Sequence, residues 1–318
     1  MALALADVKA ARERIAGYLR PTPLLPSPLL SRQCGLDVWL KLESLQHTGS
    51  FKPRGALNKL LSLTPEQRAR GVVAASAGNH ALGVAYSCQA LGLPEPDLFV
   101  QANASPAKLA KLRAYPARVH SVGLTYEQAQ QAALAFARES GRSYLSGYDD
   151  EALIAGQGSC GLEVLEALDD FQAIVVPVGG GALSAGIAVA VKASRPGVRV
   201  IGVNAAASPS ALLSFQRGAA LDPFEHEPSL AHGLAGGYGR VPFAVARGLI
   251  DEIVLVSEDE LKRAILALID SDQLLAEPSG VAGVAAVIQG RPTGASGRVV
   301  VVVSGGNLGS AELRELLG

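Results

Sequence analysis

The sequence predicts an α/β fold built on parallel sheets, and three observations carry that prediction. Short apolar strands alternate with helical stretches along most of the 318 residues, as when helices cross between parallel strands. Arg298-Val299-Val300-Val301-Val302-Val303 is a continuous apolar run, the pattern of a strand buried on both faces. Four glycine-containing turns, at 48–50, 76–80, 179–181 and 304–307, each follow an apolar strand. Open parallel sheets bind ligands at such strand ends, so the four turns are placed to converge on one site.

The elements follow in order. A helix is expected over about 6–19, then an irregular extended connection through Arg20-Pro21-Thr22-Pro23-Leu24-Leu25-Pro26. Strand Val38–Glu43 leads through the first turn to a helical run, Ala56–Leu61. Thr64 caps the next helix, with Pro65 at its first position. Strand Val72–Ala75, a small-residue helix through Cys88, strand Leu98–Val100, a helix from Ser105 and strand Val119–Val122 come next. Thr125-x-x-Gln128 is a capping box for a helix to about Glu139. A second series begins near 151 with a helix to about Leu168, then strand Ala173–Val178, a helix, and strand Val198–Val203. Residues 205–239 are rich in Ala, Ser, Gly and Pro and are expected to form loops with short helical pieces. Strand Ile253–Val256 enters the capping box Ser257-x-x-Glu260 and a helix to about Ile269, before the last strand at 298–303. There is no repeat, low-complexity region or long charged linker.

A chain of 318 residues suggests about two domains. Its net charge of −1 and lack of a basic run argue against nucleic acid as a partner. No apolar run reaches the ~18 residues of a membrane span, and Met1–Lys9 lacks the charged leader of a signal peptide. Cys34, Cys88 and Cys160 form no paired motif, which fits a reducing cytoplasm better than a disulfide framework or zinc site. No metal site is expected.

Lys52 lies at a strand-to-helix junction among small and apolar residues, in His47-Thr48-Gly49-Ser50-Phe51-Lys52-Pro53-Arg54. Either it extends to water, or burial lowers its pKa and leaves an amine suited to Schiff-base chemistry. Gly179-Gly180-Gly181 opens a helix, so its backbone N–H groups and the helix N-terminus suit an anion; alternatively the glycines serve only tight packing. Gly156-Gln157-Gly158-Ser159-Cys160-Gly161 matches GxGxxG but follows no β-branched strand and lacks the acidic residue for a ribose, so it is not read as dinucleotide-binding. His80, taken alone, suits a structural role, and His226 and His232 suit a solvated loop. The sequon Asn103-Ala104-Ser105 carries little weight without a secretory signal.

Taken together, Ser50-Phe51-Lys52, Ser76-Ala77-Gly78-Asn79-His80, Val178-Gly179-Gly180-Gly181, Glu277-Pro278 and Ser304-Gly305-Gly306-Asn307 stand in the order seen in one family. The chain resembles the fold-type II pyridoxal-phosphate enzymes, specifically the serine/threonine dehydratase and serine racemase group, from Pro23 to Leu308. The resemblance implies two open, twisted, mostly parallel sheets flanked by helices, as in tryptophan synthase β. A large cofactor domain (1–64 and 147–318) would carry a small domain (65–146) that closes over substrate. It implies pyridoxal 5'-phosphate as cofactor, joined to Lys52, which also removes the Cα proton. Gly179, Gly180, Gly181, Ala182 and Leu183 would hold the phosphate. Asn79 would meet the ring hydroxyl and Ser304 the ring nitrogen, with Phe51, Glu277 and Gly305 also around the cofactor. Ser76, Ala77, Gly78, Asn79 and His80, with Gly233, would receive the substrate. A homodimer is the family expectation.

Several positions depart from the pattern. Racemases of the group carry a serine where this chain has Ala77, and alanine cannot return a proton. Ala182 replaces the fourth glycine of the phosphate loop, which requires backbone angles that suit a β-carbon. Asn204-Ala205-Ala206-Ala207-Ser208-Pro209 has no carboxylate where some relatives bind a divalent cation, and His232 stands where an aspartate is frequent. The chain ends just past the Ser304 motif, so feedback through a C-terminal regulatory domain is not expected. The leading expectation is dehydration of serine, threonine or a related 3-hydroxy amino acid to a 2-oxo acid and ammonia. A racemase, a β-replacement enzyme and a non-catalytic cofactor-binding protein are the alternatives.

Overall fold

A computed structural model describes residues 3–291, 294 and 296–317 of the chain. Ten strands form two sheets among the described residues: β1 (Leu24–Pro26), β2 (Asp37–Leu42), β3 (Val72–Ala75), β4 (Asp97–Val100), β5 (Arg118–Ser121), β6 (Ser143–Tyr144), β7 (Ala173–Pro177), β8 (Arg199–Ala205), β9 (Glu252–Val256) and β10 (Arg298–Val303). The larger sheet runs β1-β2-β10-β7-β8-β9 and the smaller β5-β4-β3-β6. Every pairing is parallel except β1 with β2. This is the fold class the sequence predicts.

The strands legible as apolar runs are the central ones. β7 and β3 are buried at every residue, and β10 at all but its first, because helices cover both faces. Capping works as the sequence indicates: Thr64, Thr125 and Ser257 each accept from the backbone N–H three residues on, and Gln67, Gln128 and Glu260 reach back. Gly156, Gly158 and Gly161 lie inside the helix Glu151–Ala167. A β-carbon at Gly158 would stand 2.8 Å from Gly186 O and one at Gly161 3.3 Å from Ile187 Cα, so these glycines let two helices lie close together. Packing, not a nucleotide, explains the motif.

The structure corrects four local expectations. The helix after the first turn begins at Lys52 itself and runs to Ser62, with Pro53 supplying the fixed φ of its first turn. The opening helix ends at Ile15. The proline-rich connection contributes β1, an edge strand that pairs on one side only, which is where proline is tolerated. Helices Pro28–Cys34, Ala282–Ile288 and Ser310–Leu317 fall in stretches without a legible period.

Beneath the Lys52 turn lies a buried ion cluster. Arg54, 1% exposed, donates to Glu43 at 2.7 Å and to Glu163 at 2.6 Å, while Lys41 donates to Glu163 at 2.5 Å. Two cations and two anions leave no net charge. Burial works against the Glu43 carboxylate, but Arg54 and Lys41 outweigh it and hold it below the ordinary range. The cluster ties the start of the Lys52 helix to the end of β2 and to the helix Glu151–Ala167.

Candidate active site

A cavity of about 850 Å3 is lined by residues from both sheets, with Lys52 among them. The Lys52 turn is laid along the turn after β10: Ser50 bridges to Gly305, Phe51 N donates to Ser304 O at 3.2 Å, and Gly306 N to Gly49 O at 2.8 Å. Gly49, at φ +74°, makes the reversal, and a β-carbon there would lie 2.8 Å from Asn307 Oδ1. Lys52 is thereby delivered to the cavity as the first residue of its helix. Its Nζ donates to Gly147 O at 2.8 Å and lies 5.0 Å from the centre of the Phe51 ring. Burial pushes its pKa down to about 8, against an opposing pull from the Glu277 charge.

The turn after β3 supplies the second wall. Ser76 Oγ accepts from Gly78 N at 3.1 Å, and the helix Asn79–Ala90 starts immediately. Asn79 Nδ2 donates to Glu277 Oε1 at 2.6 Å. Its Oδ1 accepts from Asn307 Nδ2 at 2.7 Å, which also donates to Thr48 O at 2.7 Å. Burial pushes the Glu277 carboxyl up, with the Asn79 hydrogen bond opposing. His80 is buried, and burial together with the Lys52 charge pushes its pKa down to about 3. Its neutral form is therefore favoured at neutral pH.

The turn after β7 supplies the third. A β-carbon at Gly179 would stand 2.5 Å from Gly233 O, and one at Gly180 2.5 Å from Tyr148 Cδ1. Gly181, at φ +96°, caps the 13-residue helix Ala182–Ser194. Ala182 is the first residue of that helix, with right-handed backbone that accepts a β-carbon, so its departure from glycine is harmless. Three side-chain-free residues ahead of a long helix leave backbone N–H groups open to an anion.

The pyridoxal phosphate that the resemblance implies fits these residues. The glycine cradle and helix N-terminus suit its phosphate, and the amine of lowered pKa suits its carbonyl carbon. The cavity brings together Phe51, Lys52, Ser76, Ala77, Gly78, Asn79 and His80 with Gly179–Leu183, Gly233, Glu277 and Ser304. Gly305 is not in its lining; its carbonyl accepts from Glu277 N at 3.1 Å, so it supports Glu277 from behind. His226 and His232 are exposed residues of the cavity lining. Sequence reasoning missed Gly147, the acceptor of Lys52, and Tyr148, whose hydroxyl donates to Asp222 Oδ2 at 3.0 Å. Neither has a local signal. Asn307 belongs to a recognised motif, but only its contacts reveal what it does.

A family model described as pyridoxal-phosphate-dependent enzyme matches residues 15–305. The L-threonine ammonia-lyase of Thermotoga maritima is 41% identical over 307 residues, 96% of this chain and 76% of that one. The catabolic L-threonine dehydratase of Escherichia coli K12 is 37% identical over 319 residues, 99% of this chain and 96% of that one. Among solved structures, maize serine racemase superposes with a TM-score of 0.94 at 27% identity, covering 100% of this chain and 97% of that one. The processed form of threonine deaminase isoform 2 from Solanum lycopersicum gives 0.92 at 32% identity, covering 98% and 91%.

Proposed function

Because the chain belongs to the pyridoxal-phosphate-dependent enzymes, we propose that it is an ammonia-lyase that dehydrates L-threonine, L-serine or a related 3-hydroxy amino acid. The observation that carries this reading is the Lys52 amine, lowered to about 8, in the same cavity as the glycine cradle at 179–181. Bound pyridoxal phosphate supplies an electron sink for the pair released when the substrate Cα–H bond breaks.

The chain's own residues do the rest. Backbone N–H groups of Gly179 to Leu183 bind the phosphate, Asn79 Nδ2 has a second hydrogen for the ring hydroxyl, and Ser304 meets the ring nitrogen without charging it. The turn Ser76–His80, with Gly233, receives the substrate carboxylate. Lys52, once free, takes the Cα proton at Nζ; a pKa near 8 leaves a useful neutral fraction at physiological pH. Its hydrogen bond to Gly147 O gives the free amine a fixed resting place in the cavity. The β-hydroxyl leaves with a proton as water, and hydrolysis of the resulting enamine's imine form gives a 2-oxo acid and ammonia. Residues 65–146 act as a small domain that closes over the substrate, and the working state is a cytoplasmic homodimer. The relatives' names and the family membership support this reading.

Amino-acid racemisation is the second reading, favoured by the likeness to maize serine racemase. Ala77 counts against it, because a methyl group cannot return a proton from the opposite face.

The test is an absorption spectrum of purified protein, wild type beside Lys52→Ala, followed by oxo-acid and ammonia assays on L-threonine and L-serine. A visible band lost in the variant, with stoichiometric oxo acid and ammonia from the wild type, supports the lyase. The band with inverted substrate and no oxo acid moves the assignment to a racemase. No band after adding pyridoxal phosphate overturns both.

A further inference from the structure

We propose that the His80 imidazole is a positioning residue for Lys52, acting through the turn Leu145–Gly147. The proposal rests on the reading of Lys52 as the reacting amine. The role expected from the resemblance uses the backbone around His80; the side chain is an independent feature of the site.

His80 is 5% exposed, and its Nε2 lies 3.1 Å from Leu145 O. A carbonyl oxygen only accepts, so the ring carries its proton on Nε2. Its Nδ1 has no hydrogen-bond partner among the described residues and presents a bare lone pair. The ring is therefore a donor to Leu145 O, and burial disfavours its charged form. The carbonyl it holds begins a short turn. Leu145 N donates to Val73 O at 2.8 Å, which anchors the turn to β3. Ser146 Oγ then accepts from Tyr148 N at 3.3 Å and Asp149 N at 2.9 Å, which closes the turn. Gly147 lies beside the imidazole: a β-carbon there would reach ordinary contact, 3.5 Å, with His80 Cδ2. The Gly147 carbonyl is the acceptor for Lys52 Nζ at 2.8 Å.

The ring thus ties the turn at the Leu145 carbonyl, beside the Leu145 N–H bond to β3, and the turn places the acceptor. His80 and Lys52 stand on two helices that meet closely: a β-carbon at Gly83 would lie 3.0 Å from Lys52 Cβ. The two helices fix where the lysine and the imidazole begin, and the turn fixes where the amine ends. An amine whose hydrogen is committed to Gly147 O has its lone pair oriented, which proton abstraction requires. Burial works against the Lys52 charge and Glu277 favours it, while His80, kept neutral by burial, adds no charge of its own. Without the imidazole donor the Leu145 carbonyl loses its tie, Gly147 O is held less firmly against the Lys52 ammonium, and the amine titrates lower.

The experiment uses the full chain, loaded with pyridoxal phosphate and after its removal, as wild type, His80→Gln and His80→Leu. Glutamine keeps a donor near the Nε2 position; leucine keeps only bulk. In the unloaded chain, labelling of Lys52 by an amine reagent across the pH range is read by peptide mass spectrometry. The expected result is a midpoint lowered by about one pH unit in His80→Leu, a roughly tenfold rise in the neutral fraction below the midpoint, and near-wild-type titration in His80→Gln. In the loaded enzyme, kcat falls more than KM rises for His80→Leu and recovers in His80→Gln. A folded leucine variant with an unshifted Lys52 midpoint overturns the proposal. Should leucine prevent folding, histidine 15N spectra of the wild type decide: a neutral Nε2–H ring from about pH 5 to 8 supports it, and an Nδ1–H ring or imidazolium in that range overturns it. Lys52 titrating as expected in a chain that never takes up pyridoxal phosphate would sink the proposed function, and with it the catalytic meaning of this placement, while the tie between His80 and the Lys52 amine itself would hold.

Discussion

Asn79 Nδ2 donates to Glu277 Oε1 across 2.6 Å and 198 residues of sequence, and the orientation of that amide is set elsewhere. Asn307 Nδ2 donates to Thr48 O, an atom that can only accept, so Asn307 turns a donor toward Asn79. Asn79 must therefore present its oxygen to Asn307 and its nitrogen to Glu277. One backbone carbonyl fixes the polarity of the whole chain of bonds.

Asn307→Asp should break that polarity. Carboxylate oxygens would face Thr48 O and Asn79 Oδ1, leaving half-buried acceptors opposed at a cost of about 1–3 kcal/mol. The expected result is a loss of pyridoxal-phosphate affinity of roughly 5- to 100-fold, measured by fluorescence titration of the cofactor-free chain. Unchanged affinity would show that Asn79 does not depend on Asn307.

Lys52→Met should stabilise the cofactor-free protein at neutral pH. The folded pKa is about 8 against an ordinary 10.5. Between those values the folded chain binds fewer protons than the unfolded one, so stability rises with pH and the cost of burying the ammonium is complete below about pH 8. After discounting for solvent in the cavity, removing that cost gains about 2 kcal/mol at pH 7. The gain should fade as pH rises toward 10.5. Urea unfolding at about pH 7 and pH 9.5 checks the sign, which an equal gain at both would contradict.

Arg54→Met should be among the most destabilising single changes. It strands Glu43, which is fully buried, and removes two of the bonds to Glu163. Breaking a buried ion pair from one side costs about 3–5 kcal/mol. Urea titration should show that loss, and a shift under about 1 kcal/mol would mean water enters the cluster.

Ala77→Ser should introduce racemisation without abolishing oxo-acid release. Ala77 lines the cavity in the same turn as Asn79, and a hydroxyl there would supply the missing proton donor. Chiral chromatography of recovered serine should detect the enantiomer only in the variant. Its presence with the wild type would instead restore the racemase reading.

The legible parts of the fold were those whose signal is local. β7 and β10 announce themselves as apolar runs, and Thr64, Thr125 and Ser257 as caps. β6 has two residues, too short for any alternation to register. The helix Ala282–Ile288 is buried from Ala282 to Val287, so it has no polar face from which a period could be read. In the site, turns with distinctive glycines were found, whereas Gly147 was not. What joins Gly147 to Lys52 is a carbonyl that every residue possesses, placed beside a lysine 95 positions away.

The sequence alone determined the α/β class and the order of the turns, because strand patterning, glycine placement and capping act over a few residues. Only the tertiary structure decided that the Ser304 turn lies along the Lys52 turn, that Arg54 is neutralised beneath it, and that the Lys52 amine is lowered to about 8. A pKa in a cavity is set by desolvation and by charges from distant segments, and neither exists until the chain has closed around the site.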